Sequence, residues 1–339
     1  MAGGPELPRN IDSGLASKSN SQSELSDFGL VVGVDHYPRF RSLRGAVEDA
    51  KRFHAWLCDG DGGGVRPDRA RLVVSTENPV APLQDQVDDA IVELLAAADR
   101  LGGGRRLYFY FSGHGATSPY VSGDDVALLL AKWSRNLARL ALSVEQYRGG
   151  LTTVGLFHEL AIFLDCCRSS ASGAVGLPPT ITFDRAGERF PTRCFVAFAT
   201  EDGRSAFEHA DNGQWYGVFT RCLLSILQRS PEGLGADALK DALEREVQQV
   251  SRTQRAHVVN GLCPGATFGS RRQTLPQVRV CHHGKQVKLF DGRGILIAER
   301  GATPDVWELA LAPGLYKLQD DGGKSVLIDH DKEVTSVEI

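Results

Sequence analysis

The chain has 339 residues, 42% of them hydrophobic and 24% charged, a balance that excludes a wholly disordered, collagenous or coiled-coil protein and allows about two domains. Net charge is −4, with two basic against four acidic residues in 1–27 and eight against ten in 275–339, so each end carries −2 and the middle is neutral. That neutral body lacks a Lys/Arg run, which argues against nucleic acid as a partner, and its longest apolar runs fall far short of the roughly 20 residues of a membrane span, so no membrane partner is expected.

Residues 1–27 are rich in Ser, Gly and Asn without a periodic apolar pattern, so burial cannot offset their ordering entropy and a flexible tail is expected. Phe28–Val34 reads as a buried strand ending in the loop DHYPRF. Leu43–Leu57 places Leu43, Ala46, Val47, Ala50, Phe53 and Leu57 at helical spacing. The Gly/Asp loop Asp59–Gly64 precedes a strand at Arg71–Ser75, and Leu83–Leu101 reads as a second helix. Arg105–Ser112 (RRLYFYFS) is the strongest strand signal and runs straight into Gly113-His114-Gly115. Val126–Ala131 reads as a hairpin strand, and Ala161–Leu164 as a buried strand ending in Asp165-Cys166-Cys167-Arg168. A loop rich in Gly, Pro and Ser runs from Ser169 to about Arg193. Cys194–Ala199 is a further strand, Val218–Gln228 and Ala236–Val250 are helices, and His257–Asn260 is a last strand.

Strands alternating with helices imply an α/β fold with a mostly parallel sheet and helices on both faces. After Gly265 the texture changes to short alternating segments, such as Gln286–Phe290, Gly294–Glu299, Trp307–Leu311, Tyr316–Gln319 and Val326–Ile328, separated by HHG, DGRG, APG and DDGG turns. The expected organisation is a tail at 1–27, an α/β domain at 28–270 and a small all-β module at 275–339. The seven cysteines are odd in number and form no CxxC pair, and no basic patch with an apolar core opens the chain. Reduced thiols in a cytoplasm are the simplest reading, rather than a disulfide framework or a zinc site.

In parallel sheets the loops at the carboxyl ends of strands build the site, and two such ends carry His114 and Cys167. A cysteine hydrolase needs a thiolate, an imidazole that later protonates the leaving amine, and backbone N–H groups for the oxyanion. FSGHG with LDCCRS resembles the caspase, metacaspase and bacterial orthocaspase proteases, and the 53 residues between His114 and Cys167 fit the caspase pattern. VVGVDHYPRFRSLRGAVEDAKRF resembles the first strand and helix of that family, and FVAFATEDGRSAFEH with GVFTRCLLSIL its small-subunit-like half. The resemblance covers roughly 28–265 and implies His114 as general base and acid, Cys167 as nucleophile, and the N–H groups of Gly115 and Cys167 as the oxyanion hole. Cys167, directly before a basic residue, is the family's nucleophile position; Cys166 is not.

Asp165 stands where caspases carry Gln and metacaspases an Asp that helps bind a substrate Arg or Lys. Gly45-Ala46-Val47-Glu48-Asp49 matches the metacaspase GCxND stretch and puts Asp49 in that pocket, lined also by Ser112. Two carboxylates would select a cation, best a bidentate guanidinium. The resemblance therefore implies a protein substrate cut after Arg, less well after Lys, in a bacterial cell-death or antiphage role. The caspase arginine positions fall on Leu43 and Glu208, which disfavours cleavage after Asp, although Arg44 lies one position away. Retention of His114, Cys167 and both glycines of SGHG disfavours a silent scaffold. The chain departs from the metacaspase pattern at Ala46, Arg168 and Ser170.

Arg185, Arg189 and Arg193 are candidate sites for an activating cut, by the enzyme itself or by an upstream protease. No metal site is expected, although calcium, which many metacaspases need, has Asp184, Glu201 and Asp202 as candidate contributors. Asp59-Gly60-Asp61-Gly62 lacks the EF-hand pattern and reads as a turn. Cys281-His282-His283 could offer metal ligands, but adjacent His on a strand point to opposite faces and do not easily share one ion, so an exposed strand is the favoured reading. His36, His54, His158 and His209 read as surface or capping residues, and Trp215 with Tyr216 as either cleft wall or core.

Overall fold

A computed structural model describes residues 26–117, 125–136, 140–171, 174–182, 190–269, 277–292, 294, 296–302, 306–311, 314–330 and 334–339. Six strands form the main sheet: β1 (Phe28–Gly33), β2 (Ala70–Val74), β3 (Gly104–Ser112), β4 (Phe157–Asp165), β5 (Arg193–Phe198) and β6 (His257–Asn260). Their order is β6-β5-β4-β3-β1-β2, parallel throughout except for the antiparallel edge pair β5–β6.

Strand β3 shows how the sequence builds two layers. Leu107, Phe109 and Phe111 enter one core with residues of α2 (Gln84–Arg100) and α3 (Val144–Val154). The intervening Tyr108 and Tyr110 enter the other, with α1 (Ala46–Cys58), α4 (Val218–Gln228) and α5 (Ala236–Val250). A strand buried on both faces carries an apolar run instead of strict polar alternation.

The expected strands and helices fall close to where the apolar patterns place them, with further elements beside them. Helix α3 had no assigned element. Val126–Leu129 is not half of a simple hairpin but the middle of a three-stranded antiparallel sheet with Gly115–Thr117 and Ala141–Ser143. Glu208–Asp211 pairs with Gln214–Gly217 as a hairpin beyond β5.

The tail expected over 1–27 does not extend to its last residues: the Asp27 carboxylate is buried against the Arg105 guanidinium, and the Ser26 carbonyl accepts from Arg105 N–H. Residues 1–25 lie outside the described residues. C-terminally, Gln277–Cys281, Val306–Ala310 and Val334–Glu338 form a three-stranded sheet, and Val287–Asp291, Leu296–Arg300, Gly314–Asp320 and Ser325–His330 a four-stranded one. They share a separate core of Val278, Val280, Val287, Leu289, Trp307, Leu318, Ile328 and Ile339. The expectation of an exposed Cys281-His282-His283 is corrected at its middle residue. His282 is fully buried, whereas His283 points outward to the Glu338 carboxylate 2.6 Å away.

Candidate active site

Strands β3 and β4 are neighbours in register, with Ser112 opposite Asp165, so the turns that follow them meet at the carboxyl edge of the sheet. Gly115 packs against the second turn so closely that a Cβ there would lie 2.5 Å from Cys166 Sγ and 2.6 Å from the Cys167 carbonyl oxygen. His114, Cys167, Asp49, Ser112 and Asp165 line one cleft of about 360 Å³. Leu43, Ser205–Glu208, Trp215 and Gly217 complete much of its wall.

The His114 imidazole is held by the loop after β1. Its Nε2 lies 2.7 Å from the Arg41 carbonyl, which only accepts, so in the neutral ring Nε2 carries the hydrogen and Nδ1 is left as acceptor. The Tyr37 hydroxyl accepts from His114 N–H at 2.9 Å and donates to the Leu129 carbonyl at 3.0 Å. Tyr37 and Phe40 pack their rings 4.8 and 5.0 Å from the imidazole. Burial pulls the pKa of His114 below its ordinary value, against the Arg41 bond and the Glu208 charge.

Cys167 is partly exposed, and its thiol sits against the segment before the 208–217 hairpin: Ala206 N–H donates to Sγ at 3.3 Å, and Sγ lies 3.6 Å from the Ala206 carbonyl. Burial pushes this thiol up. Cys166 is buried in the core and pushed further. Burial thus favours the uncharged form of both the thiol and the imidazole.

Asp49 and Asp165 are both buried. Asp49 Oδ2 accepts from Gly217 N–H at 2.6 Å, and Oδ1 from Arg52 at 3.1 Å. Asp165 Oδ2 accepts from the Thr220 N–H at 3.0 Å and hydroxyl at 2.6 Å. The Tyr110 hydroxyl in turn lies 2.5 Å from Thr220 Oγ1. Burial, and then the Asp165 charge, pushes Asp49 up; burial pushes Asp165 up against its two Thr220 bonds. Two carboxylates in one dry pocket repel each other, and a cation entering between them would favour both ionised.

Arg44 lies not in the pocket floor but with its guanidinium 4.7 Å over the Trp215 ring, and Trp215 is a cleft wall. Two groups at the site escaped sequence reasoning, the Tyr37 hydroxyl and the Arg41 carbonyl; Glu208, singled out only as a caspase arginine position, has a carboxylate that accepts from Gly45 N–H at 2.7 Å. Of the candidate cleavage residues, Arg185 and Arg189 lie outside the described residues. Arg193 is the first residue of β5, paired with Glu159, so it does not stand in an open loop and a cut there would require opening the sheet. His158 is not a surface or capping residue: its ring stacks on Phe190 at 4.1 Å, and burial lowers its pKa to about 4.

Among the described residues no three His, Cys, Asp or Glu side chains are gathered to hold a metal, and Asp184 lies outside them. No helix among them is long and apolar enough to cross a membrane.

A family model described as the caspase domain of C14 peptidases matches residues 27–287. A probable protease from a Desulfuromonadales bacterium is 28% identical over 222 residues, 60% of this chain and 26% of that protein. Metacaspase-1A of Aspergillus terreus is 28% identical over 97 residues, 28% of this chain and 23% of its own. The chain thus spans about a quarter of the length of these relatives. A crystal structure of caspase-1 from Spodoptera frugiperda shares the fold with a TM-score of 0.50 at 12% identity, covering 74% of this chain and 92% of the other.

Proposed function

Because the chain belongs to the caspase-domain family of cysteine peptidases, we propose that it cleaves protein substrates after Arg, and less well after Lys, with Cys167 as nucleophile and His114 as general base and acid. The observation that carries this reading is the meeting of Cys167, His114, Asp49 and Asp165 in one cleft, with Ser112 beside the carboxylates.

The steps follow from the groups in place. His114 Nδ1 takes the Cys167 proton as Sγ attacks the substrate carbonyl carbon. The oxyanion of the tetrahedral intermediate is met by the N–H groups of Gly115 and Cys167. Its collapse breaks the C–N bond while His114 returns the proton to the leaving amine, leaving a thioacyl-enzyme. Water, deprotonated by His114, attacks that carbonyl; a second collapse releases the new carboxyl terminus and restores the thiol. Asp165 and Asp49 would receive the guanidinium of the residue before the cut.

The same reading extends to an activating cut between the two halves of the domain, by this enzyme or another protease, and to a bacterial cell-death or antiphage role. Seven free cysteines suit action in a reducing cytoplasm. The test is fluorophore release from short peptides ending in Arg, Lys or Asp, with wild type, Cys167→Ala and Asp165→Ala side by side, each with calcium and with a chelator. Arg-selective release lost in both variants is the expected result, and the chelator arm decides calcium. Asp-selective release would overturn the acidic pocket and keep the nucleophile; release that survives Cys167→Ala would overturn the dyad.

A further inference from the structure

The acid at Glu208 lines the cleft beside Asp49 and Asp165, which invites its assignment as a third ligand for the substrate cation. Its contacts point elsewhere. Glu208 opens the 208–217 hairpin, and its carboxylate accepts from Gly45 N–H at 2.7 Å and from Arg44 N–H at 3.1 and 3.3 Å. Those amides close the loop of residues 35–45, just before α1 begins at Ala46. Loop and hairpin pack tightly: a Cβ on Gly45 would lie 3.0 Å from Tyr216 N and 3.1 Å from Glu208 Oε1, so a neighbour would have to give by a few tenths of an ångström.

The same loop encloses His114 from three sides, through the Tyr37 hydroxyl and ring, the Phe40 ring and the Arg41 carbonyl. Its other ties run within the loop, to Ser75 just after β2 and to the Leu129 carbonyl. Leu43 N–H reaches the Asp35 carbonyl, Tyr37 N–H the Ser42 hydroxyl, and Asp35 and His36 N–H the Ser75 hydroxyl. The Glu208 carboxylate, helped by Arg44 over Trp215, couples this loop to the part of the chain that follows Cys167.

Resting on the peptidase reading above, we propose that Glu208 is a positioning residue whose carboxylate, by holding the Arg44 and Gly45 amides, fixes the Arg41 carbonyl and so keeps the His114 imidazole with hydrogen on Nε2 and Nδ1 available to the thiol. The hairpin that walls the substrate cleft and the imidazole that moves the proton then form one mechanical unit. A carboxylate with its oxygens on two backbone amides is set for holding rather than for receiving a mobile guanidinium.

Glu208→Gln keeps an oxygen that can accept from Gly45 N–H but removes the charge; Glu208→Ala removes both. Each is compared with wild type for kcat and KM on an Arg peptide, and for the His114 ring by long-range 1H–15N correlation, with His114→Ala locating its signals. The expected result for Glu208→Ala is a kcat lowered about a hundredfold, the scale of a catalytic group misplaced by an ångström, with KM little changed and the Nε2–H signal weakened. Glu208→Gln is expected to recover most of the kcat and the Nε2–H signal. If instead both variants raise KM, with kcat and the His114 spectrum unmoved, Glu208 is a cation ligand and the proposal falls. Should Glu208→Ala fail to fold, Glu208→Gln alone decides: wild-type KM with an intact Nε2–H signal supports the clamp, and a raised KM overturns it. If wild type cleaves no Arg peptide, the reading of cleavage after Arg fails, while the His114 spectra still test the positioning.

Discussion

Replacing Gly115 by Ala probes the junction on which the proposed chemistry depends. The added Cβ would lie 2.6 Å from the Cys167 carbonyl oxygen and 2.5 Å from Cys166 Sγ. Carbon–oxygen contacts settle at about 3.3 Å, so the two turns must part by roughly 0.7 Å. Neither side yields easily: Gly115 opens a strand paired at Leu128, and Cys166 is buried in the core. The shift moves the 115 N–H and the neighbouring imidazole relative to Sγ. Loss of one oxyanion donor costs about 10²–10³-fold in kcat, and an ångström of misplacement about 10². The expected kcat loss is therefore about 10²–10³-fold, with KM for an Arg peptide changed less, because the nearest atoms to the added Cβ belong to Cys166 and Cys167 and not to the Asp49 or Asp165 carboxylates. Overpacking costs about 1–3 kcal/mol, which for a domain of this size lowers Tm by roughly 2–12 °C. Steady-state kinetics beside a thermal melt checks both. A folded Gly115→Ala variant with wild-type kcat would refute the placement of the oxyanion hole at this junction.

Tyr37→Phe strips a hydroxyl that satisfies both His114 N–H and the Leu129 carbonyl, so stability should fall by about 1–3 kcal/mol, read as a lower urea midpoint; an unchanged midpoint would contradict the buried bonds. Alkylation of Cys167 by iodoacetamide should be slow near neutrality and still climb above the ordinary thiol range, because burial raises this thiol; a plateau below pH 7 would reveal a preformed ion pair instead. Asp49 and Asp165 are both raised, so each loses its proton at higher pH than a free carboxylate. KM for Arg peptides should therefore fall as pH rises from acid towards neutrality, and Asp165→Asn should flatten that dependence; a pH-independent KM in wild type would count against a carboxylate pocket. A Cβ on Gly217 would drive into the Asp165 carboxylate, so Gly217→Ala should raise KM for Arg peptides with Cys167 alkylation untouched; unchanged kinetics would place the cation elsewhere.

Much of this architecture was legible because it is written in side chains. The unbroken apolar run Leu107–Phe111 in RRLYFYFS announces a strand buried on both faces, and β3 feeds both cores. His114, Cys167, Asp49, Asp165 and Ser112 were read from motifs on separate segments, and the fold brings them to one cleft. Helix α3 was missed because VEQYRGGLTTV carries two glycines and several β-branched residues, which weaken helical preference; packing of Val144, Tyr147 and Leu151 overrides that preference. The Arg41 carbonyl had no signature at all, since every residue owns a carbonyl and only the loop's path aims this one. Glu208 was visible as an acid, but its partners are amides more than 160 residues away in the chain. His282 sat in a run that looked exposed, yet it is buried where the chain leaves the Gln277–Cys281 strand.

Strand β5 begins at Arg193, after the Ser169–Arg193 region, and is paired with β4 along its whole length and with β6 from Phe195 to Phe198. A chain severed anywhere between Ile181 and Phe190 would therefore remain one particle. The fragment carrying the thiol and the fragment carrying the 208–217 wall would stay laminated by six paired positions, Arg193 on Glu159 through Phe198 on Leu164. Nicked protein would run as two bands in detergent and as a single species by native mass, and the nick would act as a relaxed tether rather than a separation.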